Sequence, residues 1–290
     1  MKKAFMAIAA LLFASFSVYA QDASNAHVHH LTQSNTSAQA GQDWAKARLD
    51  KSPRRQEWVD VKHGDRVVKS FVVFPEAKTK ATAVVVIHEI FGLTDWVRSF
   101  ADQLAEAGYI AIAPDLLSGA GPNGGGSGAF TDRSAVGQAI RALPPDQITA
   151  DLNAAADHVT KLPTANGKLV VMGFCYGGAQ TFRFATNRPK LDAALVFYGQ
   201  GPDSAEAIAK IKAPVYGFYG GNDARINTTI PKSEELMKAA GKTYEPVTYE
   251  GAGHGFMRAG EDPANTVEAN KKARDQAWVR VKEILKALEK

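Results

Sequence analysis

The chain has 290 residues, 45% hydrophobic and 22% charged, which is enough for one large core and excludes a disordered or collagen-like polymer. Its 34 Lys and Arg against 30 Asp and Glu give a formal charge of +4, too balanced for a polyanion-binding surface, so nucleic acid is not expected as a partner. A single cysteine excludes an intrachain disulfide, a CxxC redox pair and a cysteine-cluster metal site.

At the amino end, Lys2 and Lys3 precede a short apolar run from Ala4 to Val18, followed by Val18-Tyr19-Ala20. This is the pattern of an export signal cleaved before Gln21. No cysteine follows the cut to take a lipid, and the run is shorter than the ~20 residues needed to cross a bilayer. Residues 1–20 therefore read as a signal peptide, and the mature chain as an exported protein, periplasmic or secreted, without a membrane anchor. Residues 21–53 are rich in Ser, Gln, Asn, Ala and His with no sustained apolar period, and read as a polar, mobile leader. Its His27, His29 and His30 have no acid or cysteine at ligand spacing, so no functional metal site is expected.

Further on, Trp58 to Lys62 and Val67 to Phe74 flank the turn signal His63-Gly64-Asp65, which predicts an antiparallel pair. Short apolar runs follow at Val84–Ile87, Tyr109–Ala113, Leu169–Met172, Ala193–Phe197 and, less regularly, Val215–Tyr219, with a last strand expected around Glu245–Tyr249. Runs of this length and continuity predict strands buried on both faces. Helical periods separate them: Trp96, Phe100 and Leu104; then Ile148, Leu152, Ala155, Val159 and Leu162; and near the end Trp278, Val281, Leu285 and Leu288. The alternation predicts an α/β fold with a mostly parallel sheet covered by helices on both faces. With no repeat and no interdomain linker, residues 54–290 read as one domain.

In such folds the chemistry gathers beyond the carboxyl ends of the strands. Leu169–Met172 leads into Gly173-Phe174-Cys175-Tyr176-Gly177-Gly178, the G-x-nucleophile-x-G elbow with cysteine as the nucleophile. An elbow puts its central side chain at a helix N-terminus, where unpaired N–H groups favour negative charge. A base for this thiol is sought among His63, His88, His158 and His254. His254 is preferred because it lies in Gly251-Ala252-Gly253-His254-Gly255-Phe256, a glycine-rich loop after the last expected strand, whereas His158 falls on an amphipathic helix. The orienting acid is Asp223, in Gly220-Gly221-Asn222-Asp223 after Val215–Tyr219. The order nucleophile, acid, histidine is that of the α/β-hydrolases. In that architecture the loop after Val84–Ile87 and the residue after the nucleophile supply the oxyanion-hole N–H groups, here Ile90 and Tyr176. Glu89, in His88-Glu89-Ile90-Phe91-Gly92-Leu93, could accept the thiol proton, hold the resting thiol away from His254, or simply cap a helix at the surface.

The elbow, the segment His88-Glu89-Ile90-Phe91-Gly92, Ala113-Pro114-Asp115-Leu116, Asp223 and His254 together closely resemble the dienelactone hydrolases, or carboxymethylenebutenolidases, from about Arg54 to the C-terminus. The resemblance implies an α/β-hydrolase fold, a Cys175-His254-Asp223 triad, a thioester intermediate and hydrolysis of an ester or enol lactone without cofactor or metal. It also implies that Glu89 contacts the nucleophile at rest and helps form the thiolate when substrate binds, and that Arg258 grips a substrate carboxylate. Arg133, in Asp132-Arg133-Ser134, is the counterpart of a second carboxylate-binding arginine, although the tyrosine that accompanies it in the family does not follow here. The expected partner is a small ester or lactone, and the expected state is a monomer. Two other readings are a general exported carboxylesterase or acyltransferase using the same site, and a noncatalytic protein that binds small carboxylates. The glycine-rich stretch from Ser118 to Gly128 contains a literal GxGxxG, but no helix opens there, so it reads as a mobile rim to the site and not as a nucleotide loop.

Overall fold

A computed structural model of the protein describes residues 41–77 and 79–289. The expected signal peptide and most of the expected leader, with His27, His29 and His30, lie outside the described residues. The strands are β1 (Gln56–His63), β2 (Arg66–Val73), β3 (Ala81–Ile87), β4 (Ile110–Pro114), β5 (Ala165–Phe174), β6 (Ala193–Phe197), β7 (Val215–Gly220) and β8 (Tyr244–Tyr249). They form one eight-stranded sheet in the order β1-β2-β4-β3-β5-β6-β7-β8. The hairpin β1–β2 turns at Gly64-Asp65 and joins β4 antiparallel; from β4 to β8 every pairing is parallel. The helices are α1 (Asp43–Asp50), α2 (Asp95–Glu106), α3 (Arg133–Ala142), α4 (Pro145–Thr160), α5 (Tyr176–Asn187), α6 (Ala205–Ala209), α7 (Ala224–Asn227), α8 (Ile230–Ala239), α9 (Phe256–Glu261) and α10 (Glu268–Ala287).

Strand β3 is wholly buried, and its alternation shows how the sheet divides the core. Ala83, Val85 and Ile87 face the layer holding Val136 and Ile140 of α3, Ile148, Leu152 and Val159 of α4, and Phe182 of α5. Val84 and Val86 face the opposite layer, which holds Trp96, Phe100 and Leu104 of α2 and Ala277, Val281 and Leu285 of α10. The continuous apolar run is thus the requirement of a strand with no solvent-facing side.

Ordered packing begins before residue 54. Residues 43–50, which composition places in a mobile leader, form α1, with Ala45 and Leu49 buried against the α2 layer. The buried Gln42 side chain accepts a hydrogen bond from the Trp96 N–H at 2.9 Å, satisfying an orphan donor of the first turn of α2. Too few apolar residues are involved to leave a period in the sequence.

The glycine-rich loop also departs from its reading. Asp115 accepts hydrogen bonds from the Ser127 N–H at 2.7 Å and the Ser127 hydroxyl at 2.6 Å, and Ser127 in turn accepts from the Leu93 N–H. With Ser127 buried, the loop is pinned at its far end. Gly119 and Gly124 to Gly126 line a groove of about 650 Å³ with His63, Arg66 and Lys69, separate from the cavity beside Cys175.

Candidate active site

The expected residues converge beyond the carboxyl ends of β3, β5, β7 and β8. Cys175 sits between β5 and α5 with φ 57° and ψ −114°, a backbone conformation that costs a side-chain-bearing residue about 1–3 kcal/mol and persists only where its surroundings enforce it. The surroundings here are unusually close. The Cys175 N–H donates to the Phe197 carbonyl at 3.0 Å, and a Cβ on Gly177 would lie 2.2 Å from the Ile87 carbonyl oxygen. The first turn of α5 therefore rests directly on the backbone of the β3 exit. Below it, Phe174 packs between Trp96 and Phe100 with ring centroids 4.8 Å from each.

Asp223 caps α7 and accepts from His254 Nδ1 at 2.5 Å; its carboxylate is buried and the imidazole is about one-third exposed. With Nδ1 committed to Asp223, Nε2 is the ring nitrogen left to face Cys175, whose side chain is coupled electrostatically to the imidazole. Burial pushes the His254 pKa down, but the interactions with Cys175 and Asp223 outweigh it and hold the pKa above its ordinary 6.5. A raised histidine pKa stabilises the fold fully below about pH 6.5 and loses that contribution as pH rises through the folded-state value. The difference in melting temperature between wild type and Asp223→Asn is therefore expected to be largest near pH 6 and to shrink towards pH 9; a constant difference would contradict the assigned coupling.

At the β3 exit, Glu89 is buried and accepts from Arg258 Nε at 2.8 Å. Burial opposes the Arg258 charge, but Glu89 more than compensates and raises the guanidinium pKa. The contact of Glu89 seen here is thus with Arg258. Arg133, in the first turn of α3, and Arg258, on α9, both lie over the ring of Phe91, at 4.9 and 5.5 Å from its centroid. Neither the Ile90 nor the Tyr176 N–H donates to a backbone carbonyl among the described residues, and both residues line the cavity that holds Cys175.

His88 is at a strand exit but is no candidate base. The Leu116 N–H donates to its Nε2 at 3.2 Å, so Nδ1 carries the proton and donates to the Glu89 carbonyl at 2.9 Å. Complete burial lowers its pKa and keeps this neutral tautomer. His88 clamps the Glu89–Ile90 turn to the exit of β4. His88→Gln, which can offer an acceptor and a donor, is expected to retain most activity, and His88→Leu to lose about 1–3 kcal/mol of stability through two unpaired buried backbone groups. Equal melting temperatures for the two variants would remove this role. His63, on the hairpin, pairs with the buried Asp151 at 2.6 Å, and His158 lies in the last turn of α4.

Tyr198 escapes detection from sequence. It leaves β6 with φ 39°, packs edge-on against His254 at a centroid distance of 5.0 Å, and is completely buried, its hydroxyl without a partner. Burial, reinforced by Glu89, holds its pKa well above 10, so it stays a neutral donor. Its only sequence signal is its place directly after the apolar run Ala193–Phe197. Among the described residues no group of three His, Cys, Asp or Glu side chains is placed to hold a metal ion.

The family model of the dienelactone hydrolases matches residues 68–289. The chain belongs to the dienelactone hydrolase family. A protein of Saccharolobus solfataricus described as a "Putative carboxymethylenebutenolidase" is 32% identical over 256 residues, covering 77% of this chain and 95% of the relative. A Methylorubrum extorquens protein of the same description is 34% identical over 205 residues, covering 66% and 69%. The crystal structure of a "Putative Dienelactone Hydrolase" from Klebsiella pneumoniae superposes with a TM-score of 0.70 at 26% identity, over 80% of this chain and 98% of that one. The dienelactone hydrolase of Anabaena variabilis shares the fold, with a TM-score of 0.57 at 22% identity over 77% and 96%. The α/β-hydrolase fold and the standing of the chain as a dienelactone hydrolase-type enzyme follow from these likenesses together.

Proposed function

We propose that the protein hydrolyses a carboxylate-bearing ester or enol lactone through a covalent thioester on Cys175. The observation that carries this reading is the convergence of Cys175, Asp223 and His254 from three strand exits, with the cysteine at positive φ and His254 hydrogen-bonded to Asp223 and coupled electrostatically to Cys175. The Cys175 thiol passes its proton to His254 Nε2, the thiolate attacks the carbonyl carbon, and the free N–H groups of Ile90 and Tyr176 receive the developing oxyanion. The bond to the leaving oxygen breaks as His254 Nε2 delivers a proton to it. Water then attacks the thioester, His254 takes the water proton, and the sulfur leaves as thiolate, restoring the site. Asp223 holds His254 in the required tautomer throughout.

Arg258 is the anchor for the substrate carboxylate in this reading. A carboxylate arriving at Arg258 competes with Glu89 for the same guanidinium, so binding would loosen Glu89 beside the thiol. The export signal read at residues 1–20 would place this activity outside the cytoplasm.

The test is turnover of dienelactone beside neutral and carboxylate-bearing p-nitrophenyl esters, with and without prior iodoacetamide. Alkylation at the single cysteine is expected to abolish turnover, and a thiol-insensitive hydrolysis would overturn the mechanism. Arg258→Ala is expected to raise KM for carboxylate-bearing esters roughly 10-fold or more relative to neutral ones, since a charge-assisted pair is lost. Equal effects on both would take the anchoring role from Arg258.

A further inference from the structure

The cavity beside Cys175, about 510 Å³, is lined in part by Arg141 and Arg225 and does not include Arg258 or Arg133. We infer that Arg141 and Arg225, with the hydroxyls of Tyr176 and Tyr198, form a second subsite, one for an anionic oxygen-rich group of the ligand. This rests on the proposed site at Cys175 and adds to it a requirement on substrate charge.

The lining pairs two exposed arginines, Arg141 and Arg225, with two tyrosines, Tyr176 and Tyr198. Neither the Arg141 nor the Arg225 guanidinium forms a hydrogen bond or ion pair with any described residue. The hydroxyls of Tyr176 and Tyr198 are buried and equally unpartnered. Buried hydroxyls that stay unsatisfied in a native fold call for an explanation, and a ligand acceptor supplies one. The remaining lining combines the apolar Ile90, Ala179 and Ile226 with one further polar side chain, Gln200, so few polar contacts besides the arginines and tyrosines can orient a ligand.

The backbone favours this placement. A Cβ on Gly137 would lie 3.2 Å from Arg141 Nη1 and 3.7 Å from Ile90 Cγ1. The absent side chain lets the Arg141 guanidinium fold back along α3 towards the β3 exit. Arg225 follows Asp223 on the short α7, whose cap is Asp223 itself. Arg133 and Arg141 stand at opposite ends of α3, about 12 Å apart along its axis. Glu89 neutralises Arg258, whereas no described carboxylate neutralises Arg141 or Arg225. The cavity next to the sulfur therefore carries two arginines without a paired carboxylate.

Binding without turnover tests this directly. Benzoate, phenyl phosphate and neutral benzamide are titrated by calorimetry into wild type, Arg141→Gln, Arg225→Gln, the double variant and Arg258→Ala, and each ligand is also scored for protection of Cys175 against iodoacetamide. Wild type should bind at least one anion in preference to benzamide. Affinity should fall roughly 10-fold for each of Arg141 and Arg225 replaced, with thermal melts checking that the variants fold. Preference for benzoate would identify a carboxylate, and preference for phenyl phosphate a phosphoryl group; either supports the subsite. No anion preference in wild type, unchanged affinity in the double variant, or loss confined to Arg258→Ala would overturn it. Failure of ester turnover in the separate assay would count against the thioester mechanism and leave this measurement readable.

Discussion

Cys175→Ala is expected to lower kcat for every ester the protein cleaves by roughly 10³-fold or more, because no other nucleophile shares the cavity and His254 alone can only activate water. The fold should survive. The substitution removes one partly buried sulfur from a position whose backbone is held by the Phe197 carbonyl and the packing of Phe174, neither of which involves the thiol. Melting within roughly 1 kcal/mol of wild type, together with the lost rate, would separate chemistry from structure. Undiminished hydrolysis in a folded Cys175→Ala protein would remove Cys175 from the mechanism.

Gly177→Ala is expected to be the most damaging conservative change in the site. The added methyl would meet the Ile87 carbonyl oxygen at 2.2 Å and that of His88 at 2.5 Å, both backbone atoms of the β3 exit that cannot rotate away. Either α5 or the Glu89–Ile90 turn must move, and each carries one of the proposed oxyanion donors. Overpacking of this kind costs up to about 3 kcal/mol, and displacement of a donor adds a loss of roughly 10²-fold in kcat. Gly128→Ala provides the comparison, since nothing lies within 4 Å of a Cβ there and its φ is unremarkable. A Gly177→Ala protein with the stability and rate of Gly128→Ala would show that the elbow and the β3 exit are not in contact.

The sheet was legible because a strand buried on both faces has no choice but continuous apolar sequence, and Val84–Ile87 and Ala193–Phe197 are of that kind. Cys175 and Asp223 were legible because they closely follow such runs, and His254 because of its glycine-rich loop after the edge strand β8, so their convergence needed only parallel strands. Arg141 and Arg225 carried no signal because they stand at a helix end and in a four-residue helix, exposed as arginines at such positions ordinarily are. Their relation to the cavity depends on how α3 and α7 fold back, which no local pattern encodes. Tyr198 was hidden for a related reason: its place in the site comes from a positive φ that sequence does not announce. The mobile rim failed as a reading because one buried carboxylate, Asp115, organises a loop whose own composition suggests freedom.

Helix α1 sets a limit on proteolytic trimming. An exopeptidase working inward along the chain would meet Gln42 with its side chain locked beneath Trp96, and then Ala45 and Leu49 inside the core. Each further residue removed would uncap α2 and wet the aromatic layer under Phe174, so degradation past this point becomes coupled to opening of the domain. The durability of the protein against proteases would then be governed by how often α1 detaches, a rate set by a few buried side chains far from the chemistry.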